Sequence, residues 1–180
     1  MKTLTLLRHA KSGWNDPVAR DFDRPLNAKG RRAAQRIGEY LRHEHVAFDH
    51  IVASPAVRVV ETLEQVAEGI GETLNPAWDK RLYLASAVAL LDVVNESDDS
   101  YENLLLAGHN PGLEDLVLML VPDNAGDVAR DQVEEKFPTA SIAQIQFPVD
   151  RWEDVRPDSG ELALFVRPRD LDPALGPDQE

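Results

Sequence analysis

Three short apolar runs, each broken off at a cationic or imidazole side chain, constrain this chain more than any other feature. Thr3 to Leu7 runs into Arg8-His9. His50-Ile51-Val52-Ala53 runs into Ser54-Pro55-Ala56-Val57-Arg58. Asn103 to Ala107 runs into Gly108-His109-Asn110-Pro111. Brief apolar runs bounded by turn signals read as strands buried on both faces. In open parallel sheets ligands bind beyond the carboxyl ends of the strands. A fold that makes these three runs neighbours therefore gathers two arginines and two histidines at one end of a sheet.

The segments between the runs read as helices. Asn27 is placed to cap a helix from Ala28 to about His43, with Ala33, Ile37, Tyr40 and Leu41 as its apolar stripe. Pro55 suits the first turn of a helix running to about Glu68, which Gly69 and Gly71 close. A weak strand is expected at Glu72 to Asn75, a helix at Ser86 to Asn95 and another at Leu113 to Val121. Ala140 to Phe147 and Leu162 to Arg167 read as an antiparallel strand pair at the sheet edge. Ala10 to Pro25 reads as a long polar binding loop, and Pro122 to Lys136 as a flexible acidic excursion. Strands alternating with helices predict an α/β fold, a three-layer sandwich with a mainly parallel central sheet and helices on both faces. One domain over residues 1–169 is expected, with a proline-bearing tail at 170–180 expected to be disordered.

Composition narrows the function. With 32 acidic against 19 basic residues the net charge is −13, which disfavours nucleic acid and anionic membranes as partners. Against that background Arg8, Arg58, His9 and His109 would form a positive pocket suited to one compact anion. There is no cysteine, hence no disulfide, thiolate metal site or cysteine nucleophile. The start of the chain has too short an apolar segment for a signal peptide. A cytoplasmic monomer is expected. His43, His45 and His50, with Glu44 and Asp49, match neither a helical His-Glu-x-x-His pattern nor a zinc knuckle, so no metal is expected there.

A phosphoryl group in transfer spreads negative charge over three oxygens, and catalysis is mainly positioning and charge stabilisation. Two arginines and one histidine suit that charge, while a second imidazole in line with the leaving group can attack phosphorus. The segments Leu6-Leu7-Arg8-His9-Ala10-Lys11-Ser12-Gly13-Trp14-Asn15, Ser54-Pro55-Ala56-Val57-Arg58 with Glu61-Thr62 behind it, and Gly108-His109-Asn110-Pro111 resemble the three signatures of the histidine phosphatase (phosphoglycerate-mutase-like) superfamily. The short chain, Arg24-Pro25-Leu26, Lys136-Phe137-Pro138-Thr139-Ala140 and Gly160-Glu161-Leu162 are similar to its SixA-type phosphohistidine phosphatase branch. The resemblance implies a phosphoglycerate-mutase-like fold, His9 as nucleophile, and Arg8, Arg58 and His109 as phosphate ligands. It places Asn15 where the superfamily has an Asn on phosphate, and it calls for no cofactor. The substrate it implies is phosphohistidine on a signalling protein. Small phosphate esters are the alternative, and a noncatalytic phosphate-binding module is a third reading.

One departure bears on chemistry. Mutase-type members carry a carboxylic acid shortly after the Arg-Leu that precedes the third helix, whereas this chain reads Arg81-Leu82-Tyr83-Leu84-Ala85-Ser86. Without that proton donor an alkoxide leaves poorly, while an imidazole with a pKa of about 6.5 leaves readily. Asp16, Asp21, Asp23 and Glu114 are the candidates for a replacement donor.

Overall fold

The computed structural model describes residues 1–13 and 20–177. Among these residues six strands form one sheet in the order β3-β2-β4-β1-β5-β6. They are β1 (Lys2–Arg8), β2 (His50–Ala53), β3 (Ala77–Trp78), β4 (Asn103–Gly108), β5 (Ile142–Phe147) and β6 (Glu161–Val166). β4 lies between β1 and β2 and pairs with both in parallel, and β3 pairs parallel to β2. β5 is antiparallel to β1 and to β6, so it alone runs against the others. The sheet is thus mixed but mainly parallel, with the late antiparallel pair at its edge.

Among the described residues six helices accompany the sheet: α1 (Ala28–His43), α2 (Val57–Ile70), α3 (Ala87–Asn95), α4 (Gly112–Leu120), α5 (Val128–Glu135) and the short α6 (Pro168–Leu171). The central strands are apolar at successive positions because both faces are covered. Leu4, Leu6, Leu104 and Leu106 join one buried cluster with Leu90, Leu116 and Val117 of α3 and α4. Leu7, Leu105 and Ala107 join the other with Ile37, Leu63 and Val66 of α1 and α2. α1 and α2 cross backbone to backbone, since a Cβ on Gly38 would stand 2.2 Å from the Val66 carbonyl oxygen and one on Gly69 2.2 Å from that of Gln35. Gly69 is therefore a packing residue within α2, and Gly71, at φ +83°, is the residue that ends it.

Several expectations shift. Residues 72–76 form no strand; the edge strand is Ala77–Trp78, two residues long, beginning only after Pro76, which has no N–H to give a ladder. The acidic stretch 122–136 carries α5, capped by the Asp127 side chain on the Arg130 N–H and anchored by fully buried Val133. Arg130 explains why so polar a helix docks: its guanidinium donates to the Val121 and Leu118 carbonyls at the C-terminal end of α4. Where composition predicts a disordered tail from Asp170, α6 and a 3-10 turn at Pro173–Leu175 instead pack along α1 through Leu171 and Leu175. Pro168 and Pro173 each occupy a first helical position, where a missing N–H costs nothing. Among the described residues no helix is long and apolar enough to cross a membrane.

Candidate active site

β1, β4 and β2 end side by side, and their pairing delivers the three motifs to one place. The His9 N–H continues the ladder to the Gly108 carbonyl at 3.0 Å, and the Ser54 N–H does so to Ala107 at 3.0 Å. His9 and His109 face each other with ring centroids 5.4 Å apart. Arg8 and Arg58 both act on the His9 charge, and Arg8 and Arg58 act on each other. The structure therefore gathers Arg8, His9, Arg58 and His109. Asn15 and Asp16 lie outside the described residues, as does Trp14; Trp78 stands half-exposed on the edge strand.

The turn after β1 is held from three directions. Thr62 in α2 accepts from the Ala10 N–H at 2.8 Å and donates its hydroxyl to the Arg58 carbonyl at 2.6 Å. One hydroxyl thus ties the His9 turn to the helix that carries Arg58. Glu61 accepts from the Leu26 N–H at 2.8 Å, and the Lys11 carbonyl accepts from the Asn27 N–H at 3.0 Å. Gly30 lets α1 come this near, since a Cβ there would stand 2.1 Å from the Lys11 oxygen. Ala140, buried and at φ +59°, directs its N–H at the Arg8 and His9 carbonyls.

The His9 Nδ1 lies 2.8 Å from the Ala10 carbonyl oxygen. A carbonyl only accepts, so Nδ1 carries the proton and Nε2 keeps its lone pair. Burial pushes the His9 imidazole down to about 3, with Arg8, His109 and Arg58 contributing in the same direction. Burial pushes His109 down to about 4, again aided by Arg58 and Arg8. Both rings are therefore neutral at pH 7. His109 Nε2 lies 2.8 Å from the Ser54 hydroxyl, which also accepts from the Ala56 N–H at 3.3 Å. Its Nδ1 is buried with no hydrogen-bond partner.

The arginines are fixed by backbone and by one carboxylate. Arg8 Nη1 donates to the Phe137 carbonyl at 2.9 Å, an oxygen that also accepts from Asn110 Nδ2. Glu114 accepts from the Phe137 N–H at 3.0 Å, so Phe137 is held through both of its backbone polar groups. Arg58 donates through Nη1 to the Asp21 carbonyl at 2.8 Å and through Nη2 to the Asp21 carboxylate at 3.0 Å. Tyr83 donates to the same carboxylate at 2.7 Å while its ring meets His109 edge-on. Tyr83, Arg24 and Arg58 together hold the Asp21 carboxyl down to about 2. Sequence reasoning named Asp21 only as a possible proton donor and gave Ser54 and Tyr83 no role. Ser54 stands inside a quoted motif, the one signal that pointed to it; nothing in the sequence joins Asp21 to Arg58 or Tyr83.

A family model for the histidine phosphatase superfamily (branch 1) matches residues 4–83. An uncharacterised protein of Mycobacterium tuberculosis is 34% identical over 164 residues, covering 91% of this chain and 100% of that one. A structure assigned as the phosphohistidine phosphatase SixA of Nakamurella multipartitia superposes with a TM-score of 0.80 at 28% identity, covering 93% of this chain and 96% of that one. Another, assigned as SixA of Agrobacterium tumefaciens, gives 0.74 at 25% identity over 92% and 97% of the two chains. With strand order, paired imidazoles and both arginines already in place, the chain belongs to the histidine phosphatase superfamily, in its SixA-type branch, and is a phosphatase.

Proposed function

We propose that this phosphatase works through a phosphohistidine intermediate on His9 and takes phosphohistidine on a protein as its substrate. The observation that carries the reading is the His9 tautomer: Nδ1–H is bound to the Ala10 carbonyl, which leaves Nε2 as a neutral nucleophile in a pocket walled by cations. In the first step the Nε2 lone pair forms a bond to phosphorus. The bond to the leaving nitrogen breaks with its electron pair, and that nitrogen takes a proton from solvent. In the second step a water oxygen attacks phosphorus, the bond to Nε2 breaks, and phosphate departs with neutral His9 restored.

Arg8 and Arg58 supply the positive charge that the phosphoryl oxygens need in the transition state. In this reading the Ser54 hydroxyl donates to His109 Nε2, the only hydrogen-bond partner that ring has among the described residues. His109 Nδ1 then carries the proton, unpartnered in the free enzyme and left for a phosphoryl oxygen. No metal is called on for this charge work.

The leaving group follows from what lacks a proton. Among the described candidates, Asp21 is held ionised by Tyr83, Arg24 and Arg58, Glu114 is engaged with the Phe137 N–H, and Asp23 pairs with Arg20. A site so furnished favours an imidazole or aryloxide over an alkoxide. The test is a panel of a phosphohistidine peptide, p-nitrophenyl phosphate, a sugar phosphate and a phosphoserine peptide, with chelator present and His9→Ala as control. We expect turnover of the first two, at least about a hundredfold less of the alkyl esters, and an acid-labile label on His9. Equal turnover of phosphoserine and phosphohistidine peptides, or an active His9→Ala protein, refutes the reading.

A further inference from the structure

Next to the His9 pocket lies a cavity of about 340 Å³, between the 136–139 loop, the first turn of α1 and the segment 167–177. Its walls include Arg8, Lys11, Lys29, Lys136, Arg167 and Arg169, and no Asp or Glu among the described residues lines it. Six of the 19 basic residues of an acidic chain thus border one hollow. The acids packed against these walls are already engaged. Asp170 accepts from Arg167 Nη2 through Oδ1 at 2.8 Å and from the Arg167 N–H through Oδ2 at 2.8 Å. Glu135 also acts on Arg167, and Glu114 acts on Arg8 from the Phe137 side. Lys29 donates to the Gly176 carbonyl.

Two of the lining guanidiniums, Arg8 and Arg169, have a buried Nε–H that meets no acceptor. Buried donors without partners are rare and costly in folded proteins. A concave surface of one sign also focuses its field on an incoming ion of the other. Arg8 belongs at once to this cavity and to the ring of charge around His9. Through Arg8, then, the cavity adjoins the place where a phosphoryl group on His9 would sit.

We propose that this cavity is a second anion subsite, taking a carboxylate or phosphate group that the substrate carries close to its reacting phosphoryl group. On the phosphohistidine reading, on which this assignment builds, that group is an aspartate or glutamate beside the phosphorylated residue. A second phosphate on a small molecule has the same chemistry.

Two matched substrate pairs test the subsite: phosphohistidine peptides with acidic or neutral flanks, and a small bisphosphate with its monophosphate. p-Nitrophenyl phosphate serves as reference. In the wild type the member with the extra anion should show a KM about tenfold lower at similar kcat, each ionic contact at a partly exposed wall being worth a few-fold. Lys136→Gln with Arg169→Gln should erase that difference and leave p-nitrophenyl phosphate turnover unchanged. A preference in the peptide pair assigns the acidic side chain as the source, and one confined to the small pair assigns the second phosphate. No preference in either pair, or an equal loss on p-nitrophenyl phosphate, overturns the proposal. Failure of the phosphatase chemistry would show separately, as wild type that leaves every substrate intact. The same tenfold ratio, read as dissociation constants on the His9→Ala protein, then decides the subsite without turnover.

Discussion

Holding two imidazoles neutral inside a cationic pocket should carry a measurable cost in acid. An unfolded histidine titrates near 6.5, while burial brings His9 to about 3 and His109 to about 4. Between those values the unfolded chain binds protons that the native chain does not, so stability falls as pH falls from about 6.5. Each ring contributes about 1.4 kcal/mol per pH unit, or about 2 kcal/mol at pH 5 and about 4 kcal/mol for the pair. That is a large part of the 5–15 kcal/mol typical of a domain, about 10 kcal/mol at the centre of the range. The depressed Asp21 carboxyl acts in a separate, more acid window, losing its stabilisation as pH falls from the ordinary carboxylate value of about 3.9 to its folded value of about 2. Urea unfolding at pH 7.5 and 5.0 should therefore show wild type losing about 4 kcal/mol more than the His9→Gln, His109→Gln protein. The comparison of slopes removes whatever the substitutions do to stability at pH 7.5. Parallel pH dependence in the two proteins would refute the neutral imidazole pair, and with it the readiness of the proposed nucleophile at neutral pH.

Three further substitutions probe the supports of the site. Ser54→Ala removes the hydroxyl facing His109 Nε2 and should lower kcat about tenfold, the worth of one buried hydrogen bond, with little change in KM; a pure stability loss with normal kcat counts against the tautomer assignment. Asp21→Asn keeps the size but removes the negative charge on Arg58, so competitive inhibition by inorganic phosphate should tighten roughly threefold to tenfold. Gly30→Ala drives a Cβ into the Lys11 carbonyl and should cost about 3 kcal/mol by thermal or urea unfolding, whereas a neutral result would mean that α1 can retreat from the His9 turn.

The parts of the fold legible in the sequence were those where neighbouring residues carry the signal. β1, β2 and β4 announce themselves because burial on both faces leaves apolar residues at successive positions along them, and α1 because Asn27 caps the Gly30 N–H at the position a capping residue occupies. Arg8, His9, Arg58 and His109 could be named because each is the last residue of its strand or follows it within five residues, so strand order brings them together. α5 was hidden because its docking depends on one valine and on an arginine reaching the end of another helix. The segment after Arg167 was hidden for a similar reason: its few apolar groups have a partner only once α1 is in place.

The supports of the site were hardest to read, since they join residues far apart in the chain. Asp21 meets Arg58 across 37 positions and Tyr83 across 62, and no local pattern encodes either contact. Their consequence is nonetheless chemical. Where mutase-type relatives resemble one another in having a protonatable acid, this chain has a tyrosine that donates to a carboxylate and keeps it charged. An ionised Asp21 neutralises part of Arg58 in the empty site, and an arriving phosphoryl dianion must share that guanidinium with it. The same carboxylate cannot protonate a leaving oxygen at neutral pH. On the reading proposed above, the missing proton selects against substrates that rely on acid catalysis and for those whose leaving group departs unaided, while the shared guanidinium weakens phosphate binding whatever the leaving group. Leaving-group preference then rests on the contact of Asp21 with Tyr83 and Arg58 rather than on the nucleophile itself.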